Sequence, residues 1–278
     1  MSFLVLLLLV WIEKFSAWRL RLQQDGWWQA WLQRVEGEEP AASHTGWQLL
    51  CLILLPLFLL GLLLWALESV AYGWLAFPVH LLVMLYSLGR GDLLAQQGPF
   101  RDAWRRGDQQ GALHAAERDM GVTAEQGDEL LARVQGHLLW QSCQGFFVVI
   151  FWYALLGPLV ALAYRLLALT EQQAASPVLR ERAGQWRHAL DWLPVRLLIS
   201  SFALVGNFVA VSRGYLAELL NWDIEGQRLV AEAGRTAAEV PAQASGEAGL
   251  RTLDALWHLL LRTAVVWYAA LALWILLI

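Results

Sequence analysis

Residues 47–67 carry no charged side chain. At a helical rise of about 1.5 Å per residue the run is about 30 Å long, the thickness of a bilayer's hydrocarbon core. A helix on the surface of a soluble protein keeps one polar face, and this stretch has none to offer. Residues 138–163 are equally free of charge. The chain of 278 residues is 58% hydrophobic and only 16% charged, where soluble domains hold roughly one-quarter charged residues. The expected fold class is therefore all-α, a polytopic helical membrane protein with a helical cytoplasmic region, because a helix satisfies its own backbone polar groups in lipid.

Apolar segments fall near residues 1–18, 47–67, 71–88, 138–169, 192–211 and 257–278, in what reads as a single membrane domain over residues 1–278. The first run lacks the basic start and small-residue cleavage site of a secretory signal, which predicts a retained first segment interrupted by Glu13 and Lys14. Residues 19–46 are polar, with Glu36, Glu38, Glu39 and Pro40 marking a loop. The brief link at Glu68 and Ser69 predicts an antiparallel hairpin with the next run, in which His80 faces protein. The block at 138–169 is too long for one crossing of about 20 residues. Gly157-Pro158 interrupts it, as a long kinked helix or as a re-entrant hairpin.

Residues 89–137 form the longest polar insertion and carry Arg90, Arg101, Arg105, Arg106, Arg118 and Arg133. An excess of basic residues marks the cytoplasmic side of a membrane protein. Within the insertion Asp108 stands where a helix N-cap belongs, before Ala112, Leu113, Ala115 and Ala116, and a second helix is expected from Thr123. Residues 213–256 read as a polar, alanine-rich loop with seven acids and four arginines, and the last span as residues 257–278 with Arg262 snorkelling or paired.

Many of the seventeen tryptophans stand at the ends of apolar blocks, among them Trp18, Trp47, Trp65, Trp74, Trp140 and Trp257. The indole favours the headgroup layer, so the pattern predicts an aromatic belt, although codon bias would produce it too. The bilayer is thus the first expected partner. A net charge of −4 speaks against nucleic acid. Cys51 and Cys143 lie inside apolar runs as small hydrophobes, and the histidines are scattered. No cofactor is expected, because no phosphate loop, nucleophile elbow or Cys-x-x-Cys appears, and an oligomer is left open.

Arg196, beside a membrane run, either binds a ligand, pairs with an acid such as Asp191, or snorkels to headgroups. Asp191 either pairs in this way or caps a helix beginning near Trp192 with Pro194 in its first turn. His188 and Asp191, three apart, share a face if the segment is helical. Arg101, Arg105 and Arg106 form a basic cluster suited to anionic headgroups.

The string Leu190-Asp191-Trp192-Leu193-Pro194-Val195-Arg196-Leu197, preceded by Gly157-Pro158-Leu159-Val160-Ala161-Leu162-Ala163-Tyr164-Arg165 and by Glu13-Lys14-Phe15 near the start, resembles the AmpE membrane proteins of Gram-negative bacteria. The resemblance covers essentially the whole chain. It implies a regulatory inner-membrane protein linked to β-lactamase induction and cell-wall recycling. AmpE proteins are in turn similar to the CobD/CbiB cobinamide synthases, membrane enzymes that form an amide with ATP and Mg2+. Where those enzymes carry an Asp-Asp pair this chain has Arg187-His188, while Pro194 and Arg196 are kept. Their Glu-Asn-Thr-Val-Asp-Gly aligns with Trp140-Gln141-Ser142-Cys143-Gln144-Gly145, keeping only the glycine, and their Asn-Thr-Leu-Asp falls on Ala168-Leu169-Thr170-Glu171. Their Gly-Arg-Asp-Thr corresponds to Glu117-Arg118-Asp119-Met120.

Mg2+ and phosphate chemistry needs hard carboxylate ligands. Replacing an acid pair by Arg-His reverses the local charge and favours a bare anion over a metal. The resemblance therefore implies a pocket for an anionic small molecule, muropeptide-like or nucleotide-like, built from Arg118, Asp119, Arg187, His188, Asp191 and Arg196. A divergent ATP- and Mg2+-dependent synthase, using Asp119, Glu171 and Asp191 as a reduced metal site, is the alternative. A transporter is a third reading, from ionisable Glu13 and Arg262 and the broken helix.

Overall fold

The computed structural model describes residues 5, 23, 25–36, 45–68, 74–89, 92–124, 127–215, 218–222 and 224–277. The expectations for residues 1–18 therefore lie outside the described residues except at Val5, as do those for Arg90 and for the link at 69–73. The helices are α1 (Gly26–Glu36), α2 (Thr45–Glu68), α3 (Ala76–Ser87), α4 (Leu93–Gln96), α5 (Gly98–Arg105), α6 (Gln109–Met120) and α7 (Gly127–Ser142). A π-helical turn at Cys143–Phe147 leads into α8 (Val148–Leu156), followed by α9 (Pro158–Gln173), α10 (Pro177–Val205), α11 (Phe208–Tyr215), α12 (Gly226–Ala238) and α13 (Gly246–Leu277). The fold is all-α, with no strand among the described residues.

Four stretches among the described residues have the length and composition to cross a membrane: Trp47–Glu68, Glu129–Leu156, Pro177–Val205 and Gly246–Trp274. Trp47 and Trp65 are 69% and 74% exposed. They lie about 27 Å apart along α2, as two aromatic belts either side of a hydrocarbon core would require. α3 is apolar but short.

Several boundaries differ from the sequence reading. Residues 26–36, which fall in the stretch read only as polar, form α1 because Trp28 and Leu32, four apart, share a buried face. The second helix of the polar insertion starts at Gly127 rather than Thr123. The supposed loop at 213–256 contains α12 and the first turns of α13. α12 was hard to see because its buried face is built largely of small residues, Ala231, Ala233, Gly234 and Ala237, beside Leu229 and Val230. The largest correction concerns Asp191, which caps nothing. α10 is continuous from Pro177 to Val205, so Asp191 and Pro194 lie in its interior.

The described residues fold as two compact units, residues 1–90 with 148–191, and residues 91–147 with 192–278. In the first, α9 packs against α1, α2, α3 and α8. Its core gathers Trp28, Leu32, Leu52, Leu162, Leu166 and Leu169. Gln23 closes the end of α3 by donating to the carbonyls of Leu85 and Leu88 at 3.1 and 2.9 Å. His80 Nδ1 lies 3.0 Å from the Tyr153 hydroxyl, so it faces protein. Gly157 ends α8 at φ 82°, ψ −169°, a region essentially reserved for glycine, and Pro158 opens α9 with its fixed φ.

In the second unit α7, α12 and α13 pack on one another, and α5 and α6 form a helical hairpin against them. The hairpin turns at Gly107, φ 72°, and Asp108 caps α6 by accepting from the Gly111 N–H at 2.9 Å. α7 and α12 approach closely because small residues line the seam. A Cβ at Gly234 would stand 2.7 Å from Leu139. Gln135, fully buried, donates to Thr252 at 2.8 Å and to the Pro241 carbonyl at 3.1 Å.

Candidate functional site

Tyr164 and Glu171 are seven residues apart on α9, two turns, and so project from one face. Arg187 and Asp191 are four apart on α10 and do the same. The link at Ala174 to Ser176 folds the two faces together in antiparallel order. Nearer the turn, the Arg187 guanidinium donates to the Glu171 carboxylate. Farther from it, the Tyr164 hydroxyl donates to Asp191 at 2.7 Å. The Arg187 guanidinium also lies 5.5 Å from the Tyr164 ring centroid, a cation-π contact that ties the two pairs into one cluster.

Burial differs sharply across the cluster. Tyr164 is 2% exposed, Asp191 5% and Arg187 9%. The Glu171 side chain is 37% exposed. Arg187 Nε is buried and makes no hydrogen bond. The small residue Gly184 makes room for the carboxylate, since a Cβ there would stand 3.2 Å from Glu171 Oε1. Chemically this is an arginine held out of water by aromatic and acidic neighbours, with a donor to spare and a half-open carboxylate as its counter-ion.

The six expected site residues fall in both units. Arg187, His188 and Asp191 belong to the first, and the structure places Arg187 and Asp191 in the cluster just described, with His188 half-buried beside Arg187 on α10. Arg118, Asp119 and Arg196 belong to the second. There Arg118 forms a two-pronged ion pair with its neighbour Asp119 on α6, both contacts at 2.7 Å. That hydrogen bonding holds the Asp119 carboxyl below its ordinary range and raises the Arg118 guanidinium.

Arg196 is buried, and its donors go to backbone carbonyls: Nε to Leu219 at 2.9 Å, Nη2 to Asn221 at 2.7 Å and Nη1 to Trp192 at 3.2 Å. Its guanidinium lies 4.6 Å from the Trp192 ring, which stacks on Trp222 at 5.6 Å. The residue clamps the 219–221 turn to α10. The pairing with Asp191 offered as one reading of the sequence gives way to these carbonyl bonds.

Sequence reasoning singled out Arg187 and Asp191, and Glu171 only as a ligand of the alternative metal site, and it gave Tyr164 no role. The seven-residue spacing of Tyr164 and Glu171 on a helical face was the available signal. Each acid of the alternative metal site already has a partner: Asp119 faces Arg118, Glu171 faces Arg187, and Asp191 accepts from Tyr164. In the basic cluster Arg101 pairs with Asp254 at 2.7 Å and Arg105 with Glu247 at 3.1 Å, which fastens α5 to α13.

Residues 1–233 match the model of the family described as regulatory signalling modulator protein AmpE. Protein AmpE of Shigella flexneri is 30% identical to the chain over 158 residues, which make up 52% of this chain and 56% of that protein. The match thus spans little more than half the length of that relative. No solved structure matches. With the family match extending through α1 to α11 and most of α12, the chain belongs to the AmpE family.

Proposed function

We propose that this chain is a multi-pass regulator of the inner membrane, linked to β-lactamase induction and cell-wall recycling, and that it senses an anionic small molecule at Arg187 on the cytoplasmic face. The family description as a signalling modulator supports the regulatory part. One observation supports the ligand class: Arg187 keeps a buried, unspent Nε donor while its guanidinium is bridged to a carboxylate that is itself 37% exposed. A phosphate or carboxylate from solution meets the same planar donor set that Glu171 occupies.

On this reading Glu171 is an internal stand-in for the ligand. It sits in the last turn of α9, where the carbonyl end of the helix disfavours negative charge, so a bound anion that displaces it relieves an unfavourable contact. Tyr164 and Asp191 keep the guanidinium oriented during the exchange. On the alignment with the CobD/CbiB synthases Arg187 stands at the acid-pair position, and that reversal of charge favours a bare anion over a metal ion.

The test uses the purified full chain in detergent, titrated with muropeptides and with nucleotides while thermal stability is followed. A ligand of the right class raises the melting temperature of the wild type. Glu171→Gln, which removes the competing charge, tightens that response, and Arg187→Met abolishes it. If no anion shifts the wild type, or if Glu171→Gln weakens the response, Arg187 is a structural ion-pair partner only.

A further inference from the structure

A groove of about 560 Å³ runs along one face of α2, with Leu54, Leu57, Phe58 and Trp65 on its walls and Leu159 of α9 beneath Gly61. We propose that it seats a single phospholipid acyl chain. Three observations carry the assignment. The first is depth. From Trp65 to Leu54 is eleven residues, about 16 Å of helix, or half of a hydrocarbon core of about 30 Å. The groove therefore reaches from the tryptophan level, where headgroups lie, to the bilayer midplane, the length of one leaflet's acyl chain.

The second is shape. Gly61 carries no side chain, and the nearest atoms below it are the Leu159 methyls, 3.9 Å from where its Cβ would stand. The walls are high because Phe58 and Trp65 are 68% and 74% exposed. The break at Gly157 starts α9 just before Leu159, so Leu159 lies only one residue inside the start of that helix. The third is chemistry: the side chains that line the groove are hydrocarbon except for the single indole N–H of Trp65 at the headgroup end. A slender, flexible hydrocarbon matches such a channel, while a headgroup does not.

The experiment reconstitutes the full chain in phosphatidylethanolamine/phosphatidylglycerol vesicles, extracts it in mild detergent and counts retained phospholipid by native mass spectrometry. The wild-type monomer is expected to carry one lipid adduct, and Gly61→Leu, which fills the channel, is expected to lose it. Leu63→Ala, on the opposite side of α2, is expected to keep it. If Gly61→Leu fails to fold, Phe58→Ala, which removes a wall, serves in its place with the same expected loss. A diazirine placed mid-chain in the phosphatidylethanolamine is expected to label Leu57, Phe58, Leu62 and Leu159, which line the groove, and not Leu63. Retention unchanged in the groove variants, label spread over all faces of α2, or a wild-type dimer that Gly61→Leu dissolves without lipid loss would each overturn the assignment, the last in favour of a second copy.

Discussion

Replacing Arg187 by methionine keeps most of the side chain's volume and removes its charge, so it isolates what the guanidinium contributes. Breaking a fully buried ion pair costs about 3–5 kcal/mol because the abandoned partner stays desolvated, whereas an exposed pair is worth at most about 1 kcal/mol. This cluster lies between the two. Glu171, with its side chain 37% exposed, recovers water when abandoned. Asp191, 5% exposed, does not, and it keeps the 2.7 Å bond from Tyr164 but loses the neighbouring cation. The expected cost of Arg187→Met is about 2–3 kcal/mol. Glu171→Gln should cost only about 1 kcal/mol, since the amide oxygen still accepts from the guanidinium. The double variant should lose less than the sum, because the two residues share one interaction. Equilibrium unfolding of the full chain in mixed micelles measures all three. Equal costs that add independently would show that the pair is not coupled. A stabilising Arg187→Met would mean that the burial of charge outweighs the attraction and that the cluster persists for binding alone.

Gly206→Ala should destabilise the second unit by about 1–3 kcal/mol, because its Cβ would press on the backbone of Ala237, where the Asn207 N–H also donates to the Ala237 carbonyl at 3.0 Å; unfolding at the level of wild type would refute this. The Asp119 carboxyl, held low by Arg118, contributes stability that is present above the ordinary aspartate pKa of about 3.9 and lost as pH falls through the lower native value. Arg118→Gln should therefore melt below wild type at neutral pH and converge with it under acid; a gap that persists when Asp119 is protonated would contradict that origin.

The membrane class was legible because it is written in long uncharged runs, and a run such as residues 47–67 has no soluble alternative. The cap at Asp108 was legible for a similar reason: the signal is local, an acid three residues ahead of the N–H it accepts from. What could not be read is mostly helix that hides its periodicity. The buried face of α12 is largely alanine and glycine, and the first turns of α13 carry Glu247, Arg251 and Asp254, so neither looks apolar. Pro194 misled in the opposite sense. Proline after an acid looks like a helix start, yet α10 runs through it. Arg187 and Asp191 lie on one segment and Glu171 was named from the sequence as a candidate metal ligand, but the pairing of Glu171 with Arg187 and of Tyr164 with Asp191 required knowing that α9 folds back on α10.

Two arginines on α10 show why residue type alone could not decide the function. Arg196 is the one the sequence made conspicuous, at the edge of an apolar run, and the structure commits its donors to three carbonyls of the main chain. Backbone carbonyls are fixed acceptors. Exchanging them for a ligand would strand buried peptide groups at about 1–3 kcal/mol each. Arg187 differs in that its charged partner is a side chain with a path to water and its Nε is unspent. Releasing a carboxylate to solvent restores its hydration, so the exchange for another anion is close to balanced and small differences in ligand geometry decide it. The proposed sensing role requires such a near-balance, and on α10 it is the environment of Arg187 that is compatible with it, whereas the donors of Arg196 are committed to the main chain.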